Sequence, residues 1–315
     1  MAQVDEGAGP AEFNVIATGL RFPEGPIAMD DGSVILVEIE RQTLTRVKPD
    51  GSTEIIAELG GGPNGAAMGP DGRCYVCNDG GFQWLEEDGL LAPHGIPDDY
   101  SGGRIEVVNV ETGEFEVLYS ECNGIPLNGP NDIVFDKDGG FWFTDLGKMR
   151  DRTRDMGGLY YAKIDGSMIK EAIFGLDGPN GVGLSPDEKT VFVAQTFPGS
   201  LISFDIIGEG EVAETEGWLP GNLVYGLPNG QLLDSLALDA NGNVCVATLI
   251  NPGGITTFQA DGSAVDFVEL PDPFTTNICF GGPDLKTAYI TLSGTGQLIS
   301  MDWPVAGLPL NFLNK

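Results

Sequence analysis

The sequence predicts an all-β fold, a six-bladed β-propeller with four antiparallel strands per blade around a central channel. Three observations lead there: one hairpin pattern occurs six times, its tip carries a recurring turn doublet, and the spacing leaves room for two further strands per copy. The copies begin "EGPIAMDDGSVILVEI" at Glu24, "NGAAMGPDGRCYVCND" at Asn64, "NDIVFDKDGGFWFTDL" at Asn131, "NGVGLSPDEKTVFVAQ" at Asn180, "DSLALDANGNVCVATL" at Asp234 and "NICFGGPDLKTAYITL" at Asn277. Successive starts are 40, 67, 49, 54 and 43 residues apart, a mean of about 51, which suits a four-stranded blade.

Within each copy a polar residue precedes an alternating strand, then an acidic turn, then a strand rich in β-branched and aromatic residues. Asp31-Gly32, Asp71-Gly72, Asp138-Gly139 and Asn241-Gly242 stand at the tips, the strongest short-range hairpin signal. "DKDGG" lacks the distal Glu of a calcium loop, and its recurrence makes it a hairpin turn. "LTRVKPDG", "GRIEVVNVETG", "GLYYAKIDG" and "SLISFDI" supply further strands between the hairpins. A ring must close, so the last strand, in "GQLISMDW", needs a partner, and "EFNVIATG" near the N-terminus is the candidate. Residues 1–315 read as one domain, with an insertion at about 80–103 placed over the channel mouth.

Composition narrows the function classes. The chain carries 47 acidic and 16 basic residues, a net charge of −31. Such a surface disfavours nucleic acid and anionic membranes, which need a basic footprint. It suits solubility, with attraction of cations to an acidic cleft as the alternative. No 18-residue apolar run occurs, and "MAQVDEGAGPAEF" has neither a basic flank nor an apolar stretch, so a cytoplasmic location is expected. No obligate protein partner is evident. The five cysteines, Cys74, Cys77, Cys122, Cys245 and Cys279, are an odd set without a leader, which argues for structural thiols. Cys74 and Cys77 have redox spacing but would face opposite sides of a strand.

The six aligned positions carry the chemistry. Inner strands line a propeller's channel, so Glu24, Asn64, Asn131, Asn180, Asp234 and Asn277 form a ring. Two carboxylates facing each other across a narrow channel need a counter-ion, because each uncompensated buried charge costs several kcal/mol. The donors are oxygens, which suit a hard cation. Calcium takes six to eight of them in loose geometry, whereas magnesium wants a strict octahedron and zinc prefers His or Cys. One divalent ion, calcium foremost with zinc, manganese or magnesium as substitutes, is therefore expected. The alternative for some ring Asn residues is the capping of strand entries.

The motifs "FPEGP", "PND", "PNG" and "DS" at these intervals resemble the SMP-30/gluconolactonase/LRE family of six-bladed propellers, over about residues 13–303. The resemblance implies hydrolysis of lactones or organophosphates with a divalent metal in the channel. It implies Glu24, Asn131, Asn180 and Asp234 as metal ligands, with Asp132 orienting Asn131. Asp234, then Asp132, would handle the proton as carboxylate base while water attacks the metal-polarised carbonyl. "G-x-S-x-G" is absent and the chain has one histidine, so a serine triad is not expected.

Substrate contacts are expected from Asn64 and Asn277, from Trp84 and His94 in the insertion, and from Arg150 in "GKMRDRTRD". For His94 and the basic segment the competing readings are a solvent-facing loop residue and a salt-bridged loop. Phe82 and Gln83 share Trp84's claim to a pocket wall. Animal sugar lactonases of the family place an arginine two residues before the "ND" asparagine, and Gly129 stands there in this chain. The substrate that the resemblance implies is accordingly a small lactone, sugar-type or other. Competing functions are a phosphotriesterase on the same ring, a non-enzymatic calcium-binding propeller, and a metal-free condensing propeller of the strictosidine synthase type.

Overall fold

The computed structural model describes residues 11–314 apart from 218, 219, 229, 251 and 264. Among them are strands and no α-helix, and six sheets form a closed ring. The inner strands are Pro23–Ala28, Pro63–Met68, Pro130–Phe135, Pro179–Leu184, Leu232–Leu238 and Thr275–Gly281, defining blades 1 to 6. Each packs on the next, and the sixth returns to the first.

Circular closure follows the predicted route. Asn14–Thr18 pairs antiparallel with Gln297–Asp302, so blade 6 takes its outer strand from the start of the chain. This covers the sheet edge that the last hairpin would otherwise expose. Glycines at the hairpin tips adopt the left-handed conformation that their turns need, for example Gly72 at φ 76°. Blades 4 and 6 lack that glycine and place Glu188 and Leu285 there, both at φ 55°.

The hydrophobic core consists of six layers, one between each pair of neighbouring blades. Ile35 and Val37 of blade 1 pack with Val76 of blade 2. Tyr75 packs with Phe135 and Phe141, and Trp142 with Val182 and Val193. The remaining layers join blades 4 and 5, 5 and 6, and 6 and 1. Cys74 and Cys77 fall in different layers, as alternation requires, and all five cysteines are buried free thiols.

Four features lie outside the repeat among the described residues, the first a short hairpin of Glu121–Cys122 with Ile125–Pro126 between blades 2 and 3. The insertion forms its own hairpin, Gln83–Glu87 with Leu90–His94, between the second and third strands of blade 2. Blade 4 adds a short strand, Glu211–Val212. The C-terminal segment then crosses one end of the channel: Leu308 N–H donates to Leu238 O, and Asn311 Nδ2 to Phe135 O and Glu188 Oε1. Behind this strap lies an apolar chamber of about 110 Å3, with Ile27, Ala67, Ile133, Leu236 and Phe280 among its walls. The channel is stoppered at this end. The sequence contains no element that foretold the strap, because it repeats nothing.

Candidate active site

The ring residues sit at the entry of the inner strands, at the end of the channel opposite the strap, and one local device places them. In blades 1 to 4 each strand opens with proline, at Pro23, Pro63, Pro130 and Pro179. Proline is tolerated there because the inner strand is a sheet edge, where no ladder partner needs its N–H. Directly behind it the ladder slips, as between Glu24 and Ile27 or between Pro130 and Ile133. The same irregularity recurs in all six blades. A bulge releases residues from the alternation and re-aims their side chains. A glycine after the ring residue lets neighbouring strands approach: a Cβ on Gly25 (φ 54°) would stand 2.7 Å from Asn64 O.

Glu24, Asn64, Asn131, Asn180 and Asn277 are buried, whereas Asp234 is partly exposed. Asn277 Nδ2 donates to Glu24 Oε2 at 2.6 Å, and Gly25 N–H donates to the same oxygen. Glu24 Oε1 is buried without a partner, and so is Asn131 Oδ1. Asn180 Nδ2 donates to Thr196 Oγ1, and its Oδ1 accepts from Ser235 Oγ. Asn64 Nδ2 donates to Asp79 Oδ2 at 3.5 Å.

The electrostatics report an unbalanced cluster of negative charge. Burial, then the Asp234 carboxylate, push the Glu24 carboxyl well above the usual range; the Asn277 amide acts against this. Burial raises Asp234 to about 7, opposed by the Asn180 amide and reinforced by Asp132. Asp132 is raised to about 7 by burial, against the Ile133 and Val182 amides that donate to it. Asp132 thereby bridges blades 3 and 4 through its carboxylate, and it borders the chamber.

A divalent cation fits this set. Two orphaned oxygens on different blades stand beside carboxylates whose ionisation is suppressed by burial and by each other, and neither oxygen meets a donor. The described residues contain no group of three His, Cys, Asp or Glu suited to a metal, because carboxamides supply most of the ring. Glu24, Asn131, Asn180 and Asp234 would hold the ion.

The expected substrate contacts divide. Asn64 and Asn277 stand in the ring. Trp84 leans on Phe22, 5.1 Å between ring centroids and two residues before Glu24. Its hairpin continues across to blade 6, where Leu91 N–H donates to Gly294 O, so the insertion is anchored to blades 1 and 6. His94 is exposed at the hairpin's end. Arg150 is half exposed and pairs with Asp155 at 2.7 Å, inside a tight turn where Arg150 N–H donates to Thr153 O and Asp155 N–H to Lys148 O. Arg154 pairs with Asp177. The feature the sequence reading missed is Lys148, which is buried and takes Asp79 as its partner; a lysine beside three arginines gave no sign of turning inward.

A family model described as the SMP-30/gluconolactonase/LRE-like region matches residues 22–294. The chain belongs to that family. Among its relatives is the gluconolactonase of Zymomonas mobilis, 26% identical over 89% of this chain and 79% of that protein. Another is lactonase drp35 of Staphylococcus saprophyticus, 28% identical over 76% of this chain and 67% of that one. Solved structures give the same fold. The Xanthomonas campestris gluconolactonase superposes with a TM-score of 0.72, 21% identity, and 96% and 97% of the two chains covered. Regucalcin of Agrobacterium tumefaciens, a calcium-binding protein, gives 0.73 at 18% identity over the whole of both.

Proposed function

We propose that this chain is a metal-dependent lactonase that opens the ester of a small lactone at the mouth of the channel. The observation that carries the reading is the pair of orphaned buried oxygens, Glu24 Oε1 and Asn131 Oδ1, in a ring that also holds a second carboxylate. The lactone class comes from the relatives, which are named gluconolactonase and lactonase. The all-oxygen donor set favours calcium.

When bound, the cation supplies Lewis acidity to the ester carbonyl. Glu24 and Asn131 would hold it from blades 1 and 3, Asn180 from blade 4 and Asp234 from blade 5. Asp234 is the less buried of the two ring carboxylates, so it takes the proton of the attacking water as the new C–O bond forms. The ring C–O bond then breaks, and the leaving oxygen recovers that proton from Asp234 as a hydroxyl. The product carboxylic acid ionises in water, releasing one proton per turnover. Gly129 contributes backbone alone: a Cβ there would stand 2.6 Å from Gly147 O. Recognition of the substrate therefore falls to other side chains, which admits lactones beyond the sugar series.

The test is proton release from γ- and δ-lactones in weak buffer, with sugar lactones, aliphatic lactones and one phosphotriester side by side. Turnover should vanish with chelator and return with calcium, and Asp234→Asn should lose at least about a hundredfold in kcat. Turnover of the phosphotriester alone would transfer the site to that chemistry. No turnover of any compound by protein that binds calcium tightly would leave a binding propeller.

A further inference from the structure

Lys148 is buried, yet it lies outside the ring and the proposed mechanism does not use it. Its ammonium donates to Asp79 Oδ1 at 3.0 Å and to Gly81 O at 3.0 Å. It stands 4.1 Å from the centroid of Phe82 and 5.3 Å from that of Tyr100. The lysine comes from blade 3, while all its partners belong to the end of a blade 2 strand and the insertion that follows. A buried ammonium enclosed by a carboxylate, a carbonyl and two aromatic faces is a built site for one charge.

Asp79 is the residue that this site holds. Gly81 N–H and Lys148 Nζ both bind its Oδ1, at 2.7 Å and 3.0 Å, which fixes the plane of the carboxylate. Its other oxygen, Oδ2, is then presented to the Asn64 amide. Accepting from Nδ2 determines which way that amide faces, because Oδ1 occupies the opposite corner. Turned over, Asn64 would direct N–H groups, and not an oxygen, into the ring. Thr196 does the same work for Asn180 in blade 4, at the equivalent place just past the second strand. There a neutral hydroxyl suffices.

We infer that Lys148 is a positioning residue for the ring: by clamping Asp79 it holds Asn64 with its carbonyl oxygen toward the ring, as a fifth oxygen donor to the cation beside Glu24, Asn131, Asn180 and Asp234. The consequence for calcium rests on the reading of the ring as a cation site, whereas the orientation of Asn64 does not. Removing the ammonium leaves Asp79 Oδ1 with only the Gly81 amide, so the carboxylate can turn and Oδ2 leaves Asn64. The amide then loses what fixed its orientation.

Two measurements test this on the full chain. The first is the side-chain NH2 resonance of Asn64, assigned by its disappearance in Asn64→Ala. It should be sharp and slow to exchange in the wild type and in Lys148→Arg, but shifted and fast in Lys148→Met. The second is calcium affinity by calorimetry. Lys148→Met should weaken it about tenfold in the wild-type background and leave it unchanged in the Asn64→Ala background, since a residue acting through Asn64 has nothing to act on there. An unaltered Asn64 resonance, or an equal loss in both backgrounds, would overturn the inference. A wild-type protein that binds no calcium would refute the cation reading, and the resonance alone would then decide the positioning. If Lys148→Met does not fold, Lys148→Met with Asp79→Leu removes the acceptor without burying a lone charge, and the same two outcomes are expected of it.

Discussion

At the scale of single residues the ring shows how one group can serve binding at the expense of the fold. Glu24 is buried, has one oxygen without a partner, and faces the Asp234 carboxylate. In metal-free protein burial raises the Glu24, Asp132 and Asp234 carboxyls above their range in the unfolded chain, which ionises near about pH 4. The folded state thus binds more protons between about pH 4 and pH 7, and stability falls as pH rises through that window. Chelated protein should therefore melt at lower temperature at pH 8 than at pH 5. Glu24→Gln should flatten part of that fall, raise the pH 8 midpoint by a few degrees, and remove calcium binding. Differential scanning calorimetry with and without chelator checks it; a lower midpoint for the variant under chelator would contradict the charge argument.

The sequence displayed much of this at the same scale, and the reason is physical. A ring position recurs with the hairpin, so six weak signals added up at Glu24, Asn64, Asn131, Asn180, Asp234 and Asn277. Lys148 and Asp79 meet once, across blades, 69 residues apart in the chain. A single contact between distant residues has no period, and charge runs ordinarily face water. For the same reason Arg150 and Arg154 gave no hint of which aspartates would pair with them.

At the scale of elements the blades differ in how they turn. Four hairpin tips use glycine in the left-handed region, while Leu285 holds φ 55° at the tip of blade 6. A β-branched or bulky residue is strained there, whereas glycine is not. Leu285→Gly should stabilise the protein by about 0.5–1 kcal/mol, the relief of strain exceeding the entropy that glycine adds to the unfolded chain. The reverse change supplies the control. A Cβ on Gly72 meets no atom within 4 Å, so Gly72→Ala should cost about 1 kcal/mol through backbone conformation alone. Urea unfolding of both variants measures the pair, and destabilisation by Leu285→Gly would show that its side chain matters more than its backbone. Strand order and turn chemistry were legible because each blade states them afresh. The insertion's hairpin and the C-terminal strap were not, since both take their form from the blades on which they lie.

For the whole molecule the decisive quantity is charge. Net −31 on 315 residues places the ring in a field that draws cations from solution. Salt screens such a field over about 10 Å at 0.1 M and about 3 Å at 1 M. Calcium affinity should drop several-fold between about 0.05 and 0.5 M NaCl, while KM for an uncharged lactone in calcium-saturated protein should change less than twofold. Equal insensitivity of both would confine the acidic surface to solubility.

The hydrogen bond between Asn277 and Glu24 spans 253 positions of sequence, and the outer strand of the last blade comes from the first segment of the chain. On a ribosome adding about 5–20 residues each second, Glu24 waits roughly 13–50 s for its partner. Throughout that interval the first blade has an open flank and the carboxylate lacks the amide that binds it. The site is thus assembled last although its first residue is made early, and a nascent chain interrupted before its sixth blade emerges with the acid but without the ring.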